Sequence, residues 1–163
     1  MYANESSEFA DGACPPVEVL PGLFLGDAED ARRGVPPVQC VIDLGQHNAK
    51  EDLPAAVATH HSFDVADDPS ADLAQFFEPI HAVVREALDR KQAVLVHCGA
   101  GISRGPTVVA SYLVHHEGYT VDAAIGKLTE LRSIVYPNLG FREQLRRYEQ
   151  SLRLGDSQSS QPH

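Results

Sequence analysis

The chain has 163 residues, of which 43% are hydrophobic and 22% charged, and its formal net charge is −10. This size and composition fit one soluble globular domain, and no apolar run is long enough for a transmembrane helix. The acidic balance argues against a protein that follows nucleic acid or lies on anionic lipid, but it does not forbid a local anion site.

Both ends of the chain are polar. Residues 1–16 and 155–163 lack core-forming patterns, which predicts flexible tails around a single domain at 17–153. The acidic N-terminal stretch argues against a signal peptide. Three cysteines are an odd and sparse number, which indicates a reducing compartment, the cytoplasm or the nucleus.

The first part of the chain alternates strand patterns with one short helix. The helix is predicted at residues 27–33. Strand patterns occur at residues 17–20, 23–25, 38–44 and 60–65.

The second part is mainly helical. Residues 72–90 carry apolar side chains at helical spacing. A short apolar run predicts a buried strand at 93–96, and the segment 107–117 is apolar on all sides, which predicts a buried helix. Two more helices are predicted, one capped by Thr120 and ending near residue 131, and one beginning near Asn138.

Strands that alternate with helices predict an α/β fold, with a central, mostly parallel sheet of about five strands flanked by helices. In such sheets, ligands bind beyond the carboxyl ends of the strands. Residues 97–105 fall at this position, at a turn from a strand to a helix.

The segment HCGAGISRGPTVV, residues 97–109, predicts an anion-binding loop. Gly99 and Gly101 let the backbone curl tightly with its amides pointing inward. The amides and the N-terminal end of the next helix then converge on one point, which suits a tetrahedral anion. Arg104 adds a planar, permanently charged fork for two phosphate oxygens.

Cys98 lies in the same loop, and the local field stabilises a thiolate there. We therefore expect a nucleophile that faces the bound phosphate. The spacing C-x5-R is weak by itself, and the strand, the glycines and the helix around it make it specific. The segment lacks the lysine of a nucleotide-binding P-loop, and Cys98 has no C-x-x-C partner for zinc.

HCGAGISRGPTVVASYL resembles the signature of the cysteine-dependent dual-specificity protein phosphatases, in particular the small, single-domain, atypical members. Four other stretches are similar to that family, so the resemblance spans about residues 17–153. They are VLPGLFLGDAEDAR, CVIDL, DVADDPSADLAQFFEPIHAVV and VYPNLGFREQLRRYE.

The resemblance implies a role for each matching residue. Cys98 would attack phosphorus and form a thiophosphoryl enzyme, while Arg104 and the loop amides would hold the phosphate oxygens. The phosphate-binding residues would be Gly99, Ala100, Gly101, Ile102, Ser103 and Arg104. His97 and Ser103 match positions that order the loop and tune the thiolate. Asp67, 31 residues before Cys98, would be the general acid, with Asp68 as the alternative.

One position departs from the family pattern. Most members carry Ser or Thr directly after the arginine, and this hydroxyl helps the thiolate to leave when water attacks the intermediate. Here the residue is Gly105, and Thr107 lies two positions further along. The residues needed for the first half-reaction are therefore all present, and we expect the second half-reaction to be slow.

Simpler interpretations stay open for several of these residues. Cys98 could be an inert core cysteine, Asp67 a solvated loop acid or a neighbour of a helix cap, and His97 a strand-end histidine without catalytic effect. Cys40 is predicted to pack in the core rather than to act as a redox partner of Cys98. For Cys14, in the polar N-terminal stretch, we expect no role.

Two pairs of adjacent histidines suggest metal binding at first sight, His60-His61 and His115-His116. Adjacent residues on a strand or helix face different directions. We therefore predict surface or partly buried histidines, and we expect neither a metal nor a cofactor.

Two classes of function remain. The first is an active phosphatase on phosphorylated Tyr, Ser or Thr, with phosphoprotein substrates, no nucleic acid, no membrane and a monomeric state. The second is a slow or inactive phosphate-binding interaction module, although such proteins usually lose the cysteine, the arginine or the acid. A phosphatase of phosphoinositides or RNA 5′ phosphates is less favoured, because no basic residue lies between Cys98 and Arg104.

Overall fold

The computed structural model describes residues 14–34, 36–45 and 47–159. Each predicted strand and helix is present. In chain order, the elements are β1 (Val17–Leu20), β2 (Leu23–Gly26), α1 (Ala28–Arg33), β3 (Cys40–Leu44), β4 (Thr59–Phe63), α2 (Phe77–Asp89), β5 (Val94–His97), α3 (Arg104–His116), α4 (Val121–Leu131) and α5 (Leu139–Ser159). None of the helices in this part of the chain has the length and apolarity needed to cross a membrane.

The sheet has five strands in the order β1-β2-β5-β3-β4. Only the β1–β2 pair is antiparallel, and the other three pairs are parallel. The predicted fold class is therefore correct. In the central strand β5, His97 pairs with Gly26 of β2 and with Asp43 of β3. Three strands thus end at one edge, and the loop that follows β5 emerges there.

Helix α3 lies at the centre of the core. Every residue from Gly105 to Val114 is buried, as expected from its uniformly apolar sequence. The main core cluster joins this helix to α2, α4, α5 and one face of the sheet, and it includes Cys40. The prediction that Cys40 packs in the core is therefore confirmed. Because most of this helix is buried, the loop at its N-terminus has a fixed position.

Two boundaries differ from the sequence prediction. α2 begins at Phe77 rather than near residue 72, because a 3₁₀ turn at Ala74–Phe76 precedes it. α5 continues to Ser159, so residues 155–159 extend the helix instead of forming a tail, as expected when a long helix propagates into polar sequence. The rest of that predicted tail, residues 160–163, lies outside the described residues, as do residues 1–13 of the N-terminal one.

Candidate active site

The loop between β5 and α3 turns its carbonyl groups away from its centre. Each backbone carbonyl oxygen of residues 98–103 accepts a hydrogen bond from outside the ring. The donors are, in residue order, His97 Nδ1 (3.1 Å), Ala28 N (3.1 Å), Arg132 Nη2 (3.1 Å), Arg132 Nε (3.2 Å), Tyr136 N (2.7 Å) and Thr107 N (3.0 Å). Because the carbonyls point outward, the amides point inward. Within the described part of the chain, no acceptor binds the amides of residues 99–104. The loop is therefore a ring of donors without its own acceptor, which suits an anion.

Cys98 lies at the base of this ring. It is a free cysteine, and only 2% of its surface is exposed. Helix α3 starts at Arg104 directly after the loop, so its positive end faces the same space. The position therefore suits an anion held next to the Cys98 sulfur.

Arg104 has a donor available for a ligand. Its Nη1 donates to the Val65 carbonyl oxygen at 3.0 Å, whereas its buried Nε has no partner among the described residues. Buried polar groups are normally paired, so this unpaired Nε indicates that a ligand binds here. Gly45, at φ +109°, provides the space for the guanidinium, because a Cβ at Gly45 would overlap Nη1.

The two candidate acids differ in their hydrogen bonds. Asp67 Oδ1 accepts a hydrogen bond from the Asn138 side-chain Nδ2 at 3.0 Å. The Asn138 backbone amide donates to Ser103 Oγ in the loop, also at 3.0 Å. Asn138 thus connects Asp67 to the loop between β5 and α3. Asp68 instead accepts from the hydroxyl (2.6 Å) and the amide (2.7 Å) of Ser70, and these bonds lower the pKa of Asp68. A carboxylate stabilised in this way is a poor proton donor.

Helix α5 holds the rest of this acid loop, residues 65–74. Gln144 Oε1 accepts from the amides of Leu73 and Ala74 at 3.0 Å each. A Cβ at Gly140 would overlap the Pro69 carbonyl oxygen, so the loop backbone lies directly on the first turn of the helix. Sequence reasoning identified neither contact, although a glycine in the first turn of a helix is a usable sign of close backbone approach.

Arg132 binds the outward carbonyls of the loop between β5 and α3 and is only 1% exposed. Besides its two bonds to the loop, its Nη1 donates to the carbonyl oxygens of Cys14 (3.0 Å) and Pro15 (2.8 Å). Gly101 has φ +70°, and a Cβ there would lie 2.7 Å from Arg132 Nη2. The predicted N-terminal tail therefore needs correction at residues 14 and 15, which are hydrogen-bonded to Arg132. An arginine at the end of a helix has no pattern that would have revealed this role.

His97 and Thr107 both have ordering contacts. Burial lowers the pKa of His97, so its neutral ring donates to the Cys98 carbonyl through Nδ1. Thr107 Oγ1 donates to the Ser103 carbonyl oxygen at 2.7 Å. Since the Thr107 hydroxyl hydrogen is used there, it is not available to the Cys98 sulfur.

A second histidine lies beside the loop and was not identified from sequence. His47 Nδ1 is 3.0 Å from Oδ1 of Asp43, which is fully buried at the end of β3. A Cβ at Gly99 would lie 3.1 Å from His47 Nε2 and 3.5 Å from Arg104 Nη2. The imidazole therefore forms part of the rim of the site, and a side chain at residue 99 would compete with it for space.

Comparisons with known proteins find related sequences over most of the chain. A family model described as "Dual specificity phosphatase, catalytic domain" matches residues 23–151. Mouse dual specificity phosphatase 28 is 34% identical over 146 residues, covering 88% of this chain and 90% of the mouse protein. Human dual specificity protein phosphatase 5 is 33% identical over 145 residues, covering 84% of this chain but only 36% of the human protein.

Solved structures resemble the same fold. Human DUSP28 has a TM-score of 0.77 at 31% identity, covering 85% of this chain and 95% of that one. The human tyrosine phosphatase-like serine/threonine/tyrosine-interacting protein has a TM-score of 0.76 at 28% identity, covering 86% of this chain and 98% of that one.

Proposed function

Because this chain belongs to the dual specificity phosphatase family and is a protein phosphatase of that class, we propose that it acts through a cysteinyl phosphate on Cys98. The observation that supports this proposal most is the ring of inward amides around Cys98, with the unpartnered Nε of Arg104 beside it. The ring and the arginine bind the phosphate of a phosphotyrosine, phosphoserine or phosphothreonine side chain.

In the first half-reaction, the Cys98 thiolate attacks phosphorus and forms an S–P bond while the bond from phosphorus to the side-chain oxygen breaks. Asp67 gives its proton to the departing oxygen. The loop amides and Arg104 stabilise the charge that spreads over the phosphoryl oxygens. The dephosphorylated protein then leaves, and the phosphoryl group stays on Cys98.

In the second half-reaction, water attacks the phosphoryl group. The Asp67 carboxylate takes a proton from this water, and the S–P bond breaks. The Cys98 thiolate is regenerated, and inorganic phosphate is released. The expelled thiolate is stabilised by the end of α3, and Gly105 supplies no hydroxyl to assist. No step requires a metal or cofactor.

The alternative is a phosphate-binding interaction module, which is the kind of role that the name of the human serine/threonine/tyrosine-interacting protein suggests. This chain retains Cys98, Arg104 and Asp67 together, which favours catalysis. The acidic net charge and the uncharged loop residues favour phosphoproteins over RNA and phosphoinositides. We propose a monomer, and the three free cysteines support a reducing compartment, the cytoplasm or the nucleus.

A substrate panel tests this proposal. Phosphotyrosine and phosphothreonine peptides should be hydrolysed, and acid quenching during turnover should trap one phosphoryl group on Cys98, located by peptide mass spectrometry. A phosphoinositide and an RNA 5′-triphosphate serve as comparison substrates. Phosphopeptide binding without hydrolysis would support the interaction module, and faster hydrolysis of either comparison substrate would overturn the protein-phosphatase assignment.

Gly105→Ser is expected to speed breakdown of the phosphoenzyme. A Cβ at Gly105 would lie 3.6 Å from the Cys98 sulfur, so a serine hydroxyl would reach the leaving thiolate. Gly105 has no positive φ, which removes backbone strain as an objection. In rapid mixing with an aryl phosphate, the wild type should show a burst near one equivalent per site. The serine variant should show a smaller burst and a steady rate ~10-fold higher, which corresponds to ~1.4 kcal/mol.

Gly105→Ala is the matched control. It adds the same Cβ, which would lie 3.1 Å from Leu25 Cδ1, but it adds no hydroxyl. Any effect of crowding should appear in both variants, and the gain in steady rate should appear only with serine. A wild type without a burst, together with no gain in Gly105→Ser, would show that water already reaches the intermediate unaided.

A further inference from the structure

A cluster of three histidines lies between α2 and the end of α3, apart from the residues of the candidate active site. It consists of His81, His115 and His116, and one ring nitrogen from each lies within 4.8 Å of the other two. As predicted, His115 is exposed and His116 is partly buried, but the two side chains do not face different directions. The rings of His115 and His116 stack, with centroids 4.1 Å apart, because both turn towards His81 on the neighbouring helix.

His81 has a fixed tautomer and a free lone pair. The Ser111 hydroxyl donates to the Val108 carbonyl oxygen at 2.6 Å, so Ser111 Oγ accepts from His81 Nε2 at 2.8 Å. With the hydrogen on Nε2, His81 Nδ1 carries only its lone pair. This residue is 3% exposed, and Nδ1 has no partner among the described residues. A histidine whose second nitrogen is held by a hydrogen bond is the usual arrangement at metal sites.

The other two histidines also have one nitrogen held by a neighbour. His115 Nδ1 is 2.7 Å from the Tyr148 hydroxyl, and His116 Nδ1 is 3.0 Å from Arg85 Nη1. His116 Nε2 is buried and has no partner among the described residues. For Nε2 to bind a metal ion, the ring proton of His116 must move to Nδ1. Arg85, which now donates to Nδ1, is exposed and can move away.

We propose that His81, His115 and His116 bind one divalent transition-metal ion, with Zn²⁺ as the best match and water in the fourth position. Three imidazoles are a common ligand set for Zn²⁺, at Zn–N distances of ~2.0–2.1 Å. Tetrahedral bonds of that length place the nitrogens ~3.3 Å apart, so the rings must move closer together. His115 is exposed, so its ring can move towards His81 and His116. The bound ion would link α2 to the C-terminal end of α3.

This proposal departs from the expectation of no metal, which considered the histidine pairs without His81. The competing explanation is aromatic packing, since His81 also stacks on Phe77. Packing explains how the rings are arranged, but it leaves His81 Nδ1 and His116 Nε2 buried without a partner among the described residues. A metal ion accounts for both.

The test uses the 163-residue chain with Cys98→Ser, so that the active-site sulfur cannot bind the ion. After chelator treatment and dialysis, calorimetry with Zn²⁺ should show one ion per chain. His115→Ala and His116→Ala should each weaken binding at least ~10-fold, and each should reduce the rise in Tm that Zn²⁺ causes. His61→Ala and His47→Ala are the controls and should bind like the parent.

Cobalt substitution identifies the ligands. Co²⁺ should give visible d–d bands with no near-ultraviolet thiolate charge-transfer band, because all three protein ligands are nitrogens. Unchanged affinity in both His115→Ala and His116→Ala would overturn the proposal. So would a thiolate band in the parent, or binding that is lost in His47→Ala instead, since His47 belongs to the separate Asp43–His47–His97 group.

Discussion

Cys98→Ser is expected to abolish turnover, with a loss of roughly 10⁴-fold or more in kcat, while the fold and phosphate binding persist. A serine hydroxyl at this position does not ionise at neutral pH, so attack on phosphorus fails. The inward amides and Arg104 do not depend on the sulfur, because the loop is held through its outward carbonyls by Ala28, Tyr136 and Arg132. Steady-state hydrolysis of an aryl phosphate measures the loss.

Cys14→Ser is the matched control for this prediction. Cys14 is also a free cysteine, and Arg132 donates to its backbone carbonyl oxygen, a bond that serine keeps. This variant should retain wild-type activity. Protection of Cys98→Ser by inorganic phosphate, measured as a shift in Tm, should match that of the wild type. Near wild-type hydrolysis by Cys98→Ser would exclude the cysteinyl-phosphate mechanism.

The centre of the site could be predicted because its parts are adjacent in the chain. Cys98, the glycines and Arg104 lie within seven residues, between an apolar strand and an apolar helix. The properties that matter there are local: glycine backbone freedom, the helix N-terminus and the arginine charge. The fold class was predictable for the same reason, because strand and helix patterns alternate along the chain.

The support of the site could not be predicted, because it depends on contacts between distant segments. Arg132 bonds to carbonyls 31 and 32 residues before it, and Asn138 contacts Asp67, which is 71 residues away. His47 lies beside the loop because it contacts Asp43, and the register of β3 and β5 pairs Asp43 with His97. Pairing between distant segments leaves no periodic signal in one sequence, so these residues read as ordinary surface or helix-end residues.

The start of α2 shows the same limit at an element boundary. The apolar spacing at Leu73 and Phe76 is compatible with a helix from residue 72. However, the amides of Leu73 and Ala74 bond to Gln144 of α5, so the chain first makes a 3₁₀ turn. A tertiary contact therefore decides where the helix begins. The same contact fixes the far end of the acid loop.

Asp67→Asn is expected to slow hydrolysis of phosphopeptides by ~10²–10⁴-fold, the usual contribution of general acid catalysis. The asparagine can still bond to Asn138, so the loop stays in place, but the departing oxygen receives no proton. The loss should shrink sharply for an aryl phosphate whose leaving group is stable as an anion. Measuring kcat/KM for both substrates separates a missing proton from a damaged site, because damage would slow both equally.

Asp68→Asn is the matched control, since it makes the same chemical change one residue away. The Asp68 carboxylate accepts two hydrogen bonds from Ser70, and asparagine keeps one acceptor oxygen, so the turn should survive. Because these bonds favour the ionised form of Asp68, this residue is a poor proton donor at neutral pH. We therefore expect a small effect, equal for both substrates. If Asp68→Asn instead shows the large loss that depends on the leaving group, and Asp67→Asn does not, then Asp68 is the acid. In that case, the contact from Asn138 to Asp67 serves only to position the loop.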